Sequence, residues 1–538
     1  MTTSHDYSEF ANLSPFELKD ELIKKASSDA DRMMLNAGRG NPNFLATLPR
    51  WAFLCLGEFA MLESERSYSF LDSGFGGMPE AEGIVQRFES YASACSNQQG
   101  ARFLRSAISY VKDQLGLDRD AFLFEMATAF LGCNYPTPPR ALVHTEEIVK
   151  AFLAKEMFGP MHSDGSFSVF PTEGGTAAMT YTFQTLSSNK LIKPGDKIAI
   201  ATPIFSPYLE IPHLVEYGLE VVDVRMDGHA NWQLPDAEID KLKDPAIKIF
   251  FLVNPSNPPS SKLSNAVLDK LAALVANDRP DLMIVTDDVY GTFADDFVSL
   301  FAKCPRNTLC VYSFSKFFGA TGWRLGTASL HDDNVFDDAL NALSEDNKKL
   351  LDARYASLTT TPRAVRFIDR MVADSRAVSL NHTAGLSLPQ QVQMALFSLN
   401  ALMDRQNQYK DAAKQLVRQR YATLYRSMGV PFEHTPDDVN YYTLIDLQDL
   451  GGQLYGPDFT AWFVKRELGI DFLFRLAEET GVVLLPGKGF EVVDMSARVS
   501  LANLTDAQYA AVGKFTRQVL DEYNEDFKAD KAALGKSA

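Results

Sequence analysis

Apolar positions along the chain change texture twice. Residues 45 to about 132 carry them at helical spacing, interrupted by turn signals at Gly74-Phe75-Gly76-Gly77 and Leu115-Gly116-Leu117, which predicts a mainly helical stretch. From Val169 short β-rich apolar runs alternate with helical segments, at 197–201, 219–225, 247–253, 282–286, 309–313 and 324–330. Such alternation predicts right-handed βαβ crossovers and a mainly parallel sheet with helices on both faces. After Gln390 the pattern is helical to about residue 428. It then alternates at 441–447, 481–485 and 497–502 and closes with a helix over 506–527, the texture of a smaller α/β lobe. Residues 528–538 read as a loose tail.

Ahead of these, Ser14-Pro15-Phe16-Glu17 combines a capping serine, a first-turn proline and a glutamate at the capping-box position. It predicts a helix running to about residue 35 and stopping at Gly38-Arg39-Gly40-Asn41-Pro42. Residues 144–157 read as a further amphipathic helix. The expectation is an α/β fold in three parts. Residues 1–135 form an N-terminal arm and helical insertion, 136–395 a large domain and 396–538 a small C-terminal domain.

The 538 residues are 46% hydrophobic and 22% charged, enough for a substantial core. A formal net charge of -17 argues against a nucleic-acid partner, which calls for a basic face. No apolar run approaches the roughly 20 residues that span a bilayer, and residues 1–10 carry no basic and apolar leader pattern. The sequence therefore predicts a cytoplasmic protein without membrane contact. Cys55, Cys95, Cys133, Cys304 and Cys310 are scattered, with no CxxC pair. They read as buried small apolar residues and not as disulfides or metal ligands.

Candidate chemistry gathers just after the predicted strands, where open α/β sheets bind ligands. Thr172-Glu173-Gly174-Gly175-Thr176 leads into a helix, and free N–H groups there suit an anion. Asn254-Pro255-Ser256-Asn257-Pro258-Pro259 is a stiff loop whose second asparagine can aim an amide at a ligand. In Asp287-Asp288-Val289-Tyr290, Asp288 suits a helix cap and Asp287 an inward-facing role. Ser313-Phe314-Ser315-Lys316 places a lysine after an apolar run, and Arg324 follows eight residues later. An amine nucleophile beside hydroxyls and a guanidinium is what pyridoxal phosphate chemistry requires. Each feature alone has an ordinary alternative: a turn, a cap, a surface lysine. Their joint occurrence on successive strand ends does not.

In this order the motifs resemble the fold type I family of pyridoxal-phosphate enzymes, the aspartate aminotransferase superfamily, over roughly residues 140 to 505. The resemblance implies pyridoxal 5′-phosphate as cofactor and Lys316 as the Schiff-base lysine. Asp287 would pair with the pyridine nitrogen, and Asn257 and Tyr290 would contact the ring hydroxyl oxygen. Gly174, Gly175, Thr176, Ser313, Ser315 and Arg324 would lie at or near the phosphate, and Phe205 would stack on the ring. Tyr135 would reach a neighbouring subunit's phosphate. Arg498 would hold the substrate α-carboxylate, and either Gly40 or Gly116 would support it through the backbone.

The chain's length, its insertion, Trp323 before Arg324 and the NPSNPPS loop further resemble bacterial aspartate 4-decarboxylases. That implies β-decarboxylation of L-aspartate to L-alanine and CO2, with aspartate aminotransferase side activity toward α-keto acids. It also implies a homo-oligomer built from dimers, up to a dodecamer. Arg39, between two glycines, is a candidate to position the β-carboxylate, and Lys19 a weaker one. The alternative is a plain aspartate or aromatic aminotransferase without decarboxylase activity. A cofactor-binding transcriptional regulator fits poorly with the acidic balance.

Overall fold

The computed structural model describes residues 7, 10, 13, 15–27, 33–72, 74–135, 140–161, 166–375, 385–492 and 495–535. Twelve strands run along it: β1 (Leu35–Asn36), β2 (Phe167–Thr172), β3 (Lys197–Thr202), β4 (Glu220–Arg225), β5 (Ile247–Val253), β6 (Met283–Asp287), β7 (Thr308–Ser313), β8 (Gly326–His331), β9 (Tyr442–Asp446), β10 (Val482–Val483), β11 (Leu485–Pro486) and β12 (Ser496–Ser500). Seven of them make one sheet in the order β2-β8-β7-β6-β5-β3-β4. Neighbours from β7 to β4 pair in parallel, and β8 is antiparallel to both β7 and β2. β2, β7 and β8 are buried along their whole length, as strands covered on two faces must be.

The register brings the motifs to one edge. Thr172 and Ser313 both pair with Gly326, and Asp287 pairs with Val253 on one side and Val311 on the other. The antiparallel strand β8 therefore starts where its neighbours end, and Arg324 arrives at the same rim as Lys316.

The insertion consists of the helices Thr47–Ser67, Ile84–Ala94, Gln98–Asp113 and Arg119–Leu131. They share one apolar core with the sheet, and the helix Leu388–Met403 packs against both the insertion and Val143–Met157. A second core gathers Leu18, Leu22, Leu35 and Ala37 of the arm with Leu476, Val483, Val499 and Tyr509. A three-stranded antiparallel sheet, β11-β12-β9, carries the small lobe's side of the cleft.

Four expectations are corrected. The arm helix is Pro15–Ala26 and does not reach residue 35, because Leu35 and Asn36 pair in parallel with Val482 and Val483 instead; Ser14, its expected cap, lies outside the described residues. The C-terminal helix extends over Asp506–Gly535. Its last turns are tied back by Trp462 Nε1 to Asp530 (2.9 Å) and Lys531 to Asp458 (2.9 Å), so residues 528–535 are no loose tail. Asp288 caps no helix; its buried carboxylate accepts from Thr286, Ser299 and Cys310. Among the cysteines, Cys55, Cys304 and Cys310 are buried, but Cys95 is half-buried and Cys133 exposed. Among the described residues no helix is long and apolar enough to cross a membrane.

Gly326 lies so close to the Gly174 backbone that a Cβ there would overlap it. Gly326→Ala is expected to cost about 1–3 kcal/mol by overpacking, read as a lower urea midpoint at unchanged slope; an unchanged midpoint would show that the strand ends relax freely.

Candidate active site

A cavity of about 610 Å³, counting its open mouth, lies at the shared strand edge under the small lobe. At its floor β6 delivers Asp287, which is 6% exposed. The carboxylate accepts hydrogen bonds from the Tyr208 hydroxyl (2.7 Å) and the Val289 N–H (3.1 Å). Burial pushes its pKa up to about 6, against the pull of those two donors and of Lys316. Among the described residues no cation pairs with it at salt-bridge distance.

The chain then climbs β7 to Ser313, Ser315 and Lys316. The Lys316 amine donates to the Gly40 carbonyl at 2.9 Å, and the Tyr441 hydroxyl donates to the same oxygen at 2.9 Å. Gly40 has to be glycine: a Cβ would run into the Tyr442 hydroxyl and lie 3.1 Å from the Lys316 amine.

At one end, the helix Gly175–Ser188 opens with Gly175 and Thr176, so its first N–H groups face the cavity. Gly174 has φ +97, and a Cβ there would strike the Arg324 guanidinium. Arg324 itself sits at φ 56, a backbone conformation that costs a non-glycine residue energy. Its guanidinium donates to the carbonyls of Thr321 (3.0 Å) and Glu173 (3.1 Å). Ser313 donates to the Ser315 hydroxyl at 3.0 Å. Helix N-terminus, guanidinium and two hydroxyls converge there as an anion cradle.

The opposite wall belongs to the small lobe. Arg498 on β12 is 4% exposed and donates to Asn257 Oδ1 (3.1 Å) and to the Gly38 carbonyl (2.8 Å), while its Nε is buried with no partner. Asn257 donates to the Tyr290 hydroxyl (3.4 Å), which donates to the Tyr442 hydroxyl (3.1 Å).

The cavity thus gathers Gly175, Thr176, Phe205, Asn257, Asp287, Tyr290, Ser313, Ser315, Lys316 and Arg324 from the residues singled out in the sequence. Gly174 and Gly40 stand directly behind this wall, and Arg498 joins it through Asn257. Four others do not line it. Gly116 occupies an exposed turn with φ 69 between two insertion helices. The Arg39 side chain is exposed, although its neighbours Gly38 and Gly40 supply the carbonyls that meet Arg498 and Lys316. Tyr135 is 75% exposed. Lys19, on the arm helix, forms an ion pair with Asp20 at 3.1 Å.

Two lining tyrosines escaped the sequence reading. Tyr208 follows Phe205 by one turn, and Tyr442 begins β9; nothing local marks either.

The family model for class I and II aminotransferases matches residues 153–513. The chain belongs to that family. Aminotransferases of this kind are pyridoxal-phosphate-dependent in general. A Pseudomonas protein named bifunctional aspartate aminotransferase and L-aspartate beta-decarboxylase is 58% identical over 98% of this chain and 99% of its own length. An aspartate/prephenate aminotransferase of Nitrosomonas europaea is 30% identical over 25% of the chain and 35% of its own length. Among solved structures, a Thermus thermophilus aspartate aminotransferase double mutant superposes with a TM-score of 0.57 at 16% identity, covering 94% of this chain and 96% of that one. The aromatic aminotransferase of Pyrococcus horikoshii gives 0.56 at 18%, covering 94% and 99%. At such identities the structural likeness establishes the fold, an aminotransferase fold with its mostly parallel central sheet.

Asp287 carries a pH signature. A carboxyl whose pKa is higher folded (about 6) than unfolded (about 4) binds its proton more tightly in the folded chain. Its contribution is therefore full below about pH 4 and is lost as pH rises through about 6. In the ligand-free protein, Asp287→Asn is expected to remove about 2–3 kcal/mol of the stability loss between pH 4 and 7. Urea midpoints at the two pH values measure it, and parallel pH curves for both proteins would refute the assignment.

Proposed function

We propose that this aminotransferase-family chain converts L-aspartate to L-alanine and CO2 and also transfers the amino group of aspartate to 2-oxoglutarate, with pyridoxal 5′-phosphate as cofactor. The observation that carries this reading is the likeness to the Pseudomonas bifunctional protein, 58% identity sustained over 98% of the chain. It includes the helical insertion, which a match confined to the catalytic motifs would leave out.

The residues present fit the cofactor. The anion cradle of Gly175, Thr176, Ser313, Ser315 and Arg324 suits its phosphate, with Gly174 giving the turn its close approach. Asp287 lies at the floor without a cationic partner, placed to keep a ring nitrogen protonated. Asn257 and Tyr290 lie where a ring hydroxyl oxygen would need donors, and Phe205 supplies an aromatic face. When bound, the cofactor supplies an aldehyde for Schiff-base chemistry and a ring that accepts the electron pair of a broken bond.

The chain's own groups do the rest. Arg498, buried with a free Nε donor, takes the substrate α-carboxylate as a two-pronged charge-assisted pair. Lys316 carries the proton that leaves Cα, with the Gly40 carbonyl holding its amine in place. Burial of the cleft by the small lobe excludes water and strengthens each of these contacts. Arg39 positions the β-carboxylate. Its side chain is free of the cavity wall, but its backbone is pinned on both sides by the site.

The enzyme acts as a homo-oligomer built from dimers, in which Tyr135 reaches the partner subunit's site. An exposed apolar face on the helix Thr47–Ser67, with Trp51, Leu54, Met61 and Leu62, supports assembly.

Supplied with L-aspartate and no keto acid, the purified holoenzyme is expected to release CO2 and alanine over many turnovers; a single half-turnover to oxaloacetate would identify a plain aminotransferase. Borohydride reduction followed by peptide mapping should label Lys316. Arg39→Ala is expected to shift the ratio of alanine to oxaloacetate by at least about tenfold, the scale of one charged contact. An unshifted ratio would remove Arg39 from β-carboxylate control.

A further inference from the structure

Transamination of aspartate needs one proton carrier, since the proton leaving Cα is the one handed on, and Lys316 suffices. β-Decarboxylation needs a second proton. When the Cβ–CO2 bond breaks, its electron pair stays with the substrate, and a proton must be added at the β-carbon. Overall, aspartate plus one proton gives alanine plus CO2. An enzyme of both activities must therefore deliver to the β-carbon one proton beyond the one that Lys316 hands on.

Tyr442 is the group so placed. Its hydroxyl lines the cavity and, like the Lys316 amine, lies against Gly40. It also accepts from Tyr290 at 3.1 Å, the last link of a relay in which Arg498 donates to Asn257 and Asn257 to Tyr290. The Arg498 guanidinium stands 4.4 Å over its ring. The facing groups are Lys316, Arg498, Tyr290 and the neighbouring Tyr441. Burial pushes the Tyr442 hydroxyl up, but the Lys316 and Arg498 charges and the bond from Tyr290 more than offset it, so it ionises below the ordinary tyrosine range. The other two hydroxyls are unsuited: Tyr290 is committed to Tyr442 and Tyr441 to the Gly40 carbonyl. Burial also raises the pKa of both.

We propose that Tyr442 is the second proton carrier of the decarboxylation. Its O–H bond breaks, the proton joins the β-carbon using the electron pair left by CO2, and solvent reprotonates the phenolate held between Lys316 and Arg498. This rests on the decarboxylase reading above.

The test compares wild type with Tyr442→Phe, which keeps the buried ring. Alanine formation by the holoenzyme is expected to fall about 100-fold, within the usual span of one general acid. The single half-reaction from aspartate to oxaloacetate should fall less than a tenth as much. In the ligand-free protein, absorbance titration of the phenolate band should show one tyrosine ionising below the ordinary range in wild type and missing in Tyr442→Phe. An equal fall in both reactions, an unchanged alanine rate, or a phenolate titration unaltered by the substitution would each overturn the assignment. Wild type making no alanine would overturn the decarboxylase reading along with it, whereas failure of Tyr442→Phe in an alanine-producing enzyme overturns this inference alone.

Discussion

Among the described residues, a guanidinium buried without a counter-ion governs this structure. Arg498 is 4% exposed, yet its partners are neutral oxygens of Asn257 and Gly38. The rings of Tyr442 and Phe490 flank it at 4.4 and 4.8 Å, contributing cation–π attraction. Burial pushes its pKa down, but an arginine keeps its charge in a protein. Removing such a charge from water costs several kcal/mol that neutral partners only partly offset. The arrangement is stable because three separate segments close on it: β12, the loop after β5 and the arm before Gly40. The deficit remaining at Nε is one that an anionic ligand would relieve, so a costly feature of the ligand-free fold favours anion binding there.

Asp287 poses the converse problem at the cavity floor, a buried carboxyl lacking a cation. Tyr208 and the Val289 N–H hold it, and burial still raises its pKa to about 6. Its neighbour Asp288 is pushed up to about 7 by burial, against donors from Ser299 and Thr286 and with the Asp287 charge adding to the rise. Adjacent carboxyls in one apolar sheet cannot both ionise cheaply. Asp288 is satisfied entirely by hydroxyl and thiol donors behind the strand, while Asp287 is left facing the cavity. A buried guanidinium on one wall and a buried carboxyl at the floor suit a cavity that takes an anionic group at one end and a cationic one at the other.

Much of this was legible in the sequence because it is local. Strand runs, the glycine turn before Gly175–Ser188 and the Asn-Pro loop each betray themselves within a few residues, and the α/β topology then delivers them to one rim. What escaped depends on pairing between distant segments. Leu35 and Asn36 read as the end of a helix because their partners, Val482 and Val483, lie in the small lobe. Asp288 read as a cap because Ser299 and Cys310 meet it only in the folded sheet. Tyr442 looked like any residue opening a strand; its significance comes from Tyr290, Lys316 and Arg498, carried by three other elements.

The arm explains how two lobes act as one site. Its apolar residues Leu18, Leu22, Leu35 and Ala37 belong to the small lobe's core, while the carbonyls that follow, of Gly38 and Gly40, reach Arg498 and Lys316. Arg498 and Tyr442 stand on paired strands of the same lobe, since β12 and β9 are neighbours. The Arg498 guanidinium and the Gly40 carbonyl that holds the lysine amine are therefore mounted on one packed unit, whereas the Tyr442 ring packs into the core shared with the sheet that carries Lys316 and Asp287. A carboxylate taken by Arg498, as proposed, would thus act on the same unit whose Gly40 carbonyl holds the Lys316 amine, a link that a site built from the sheet edge alone could not provide.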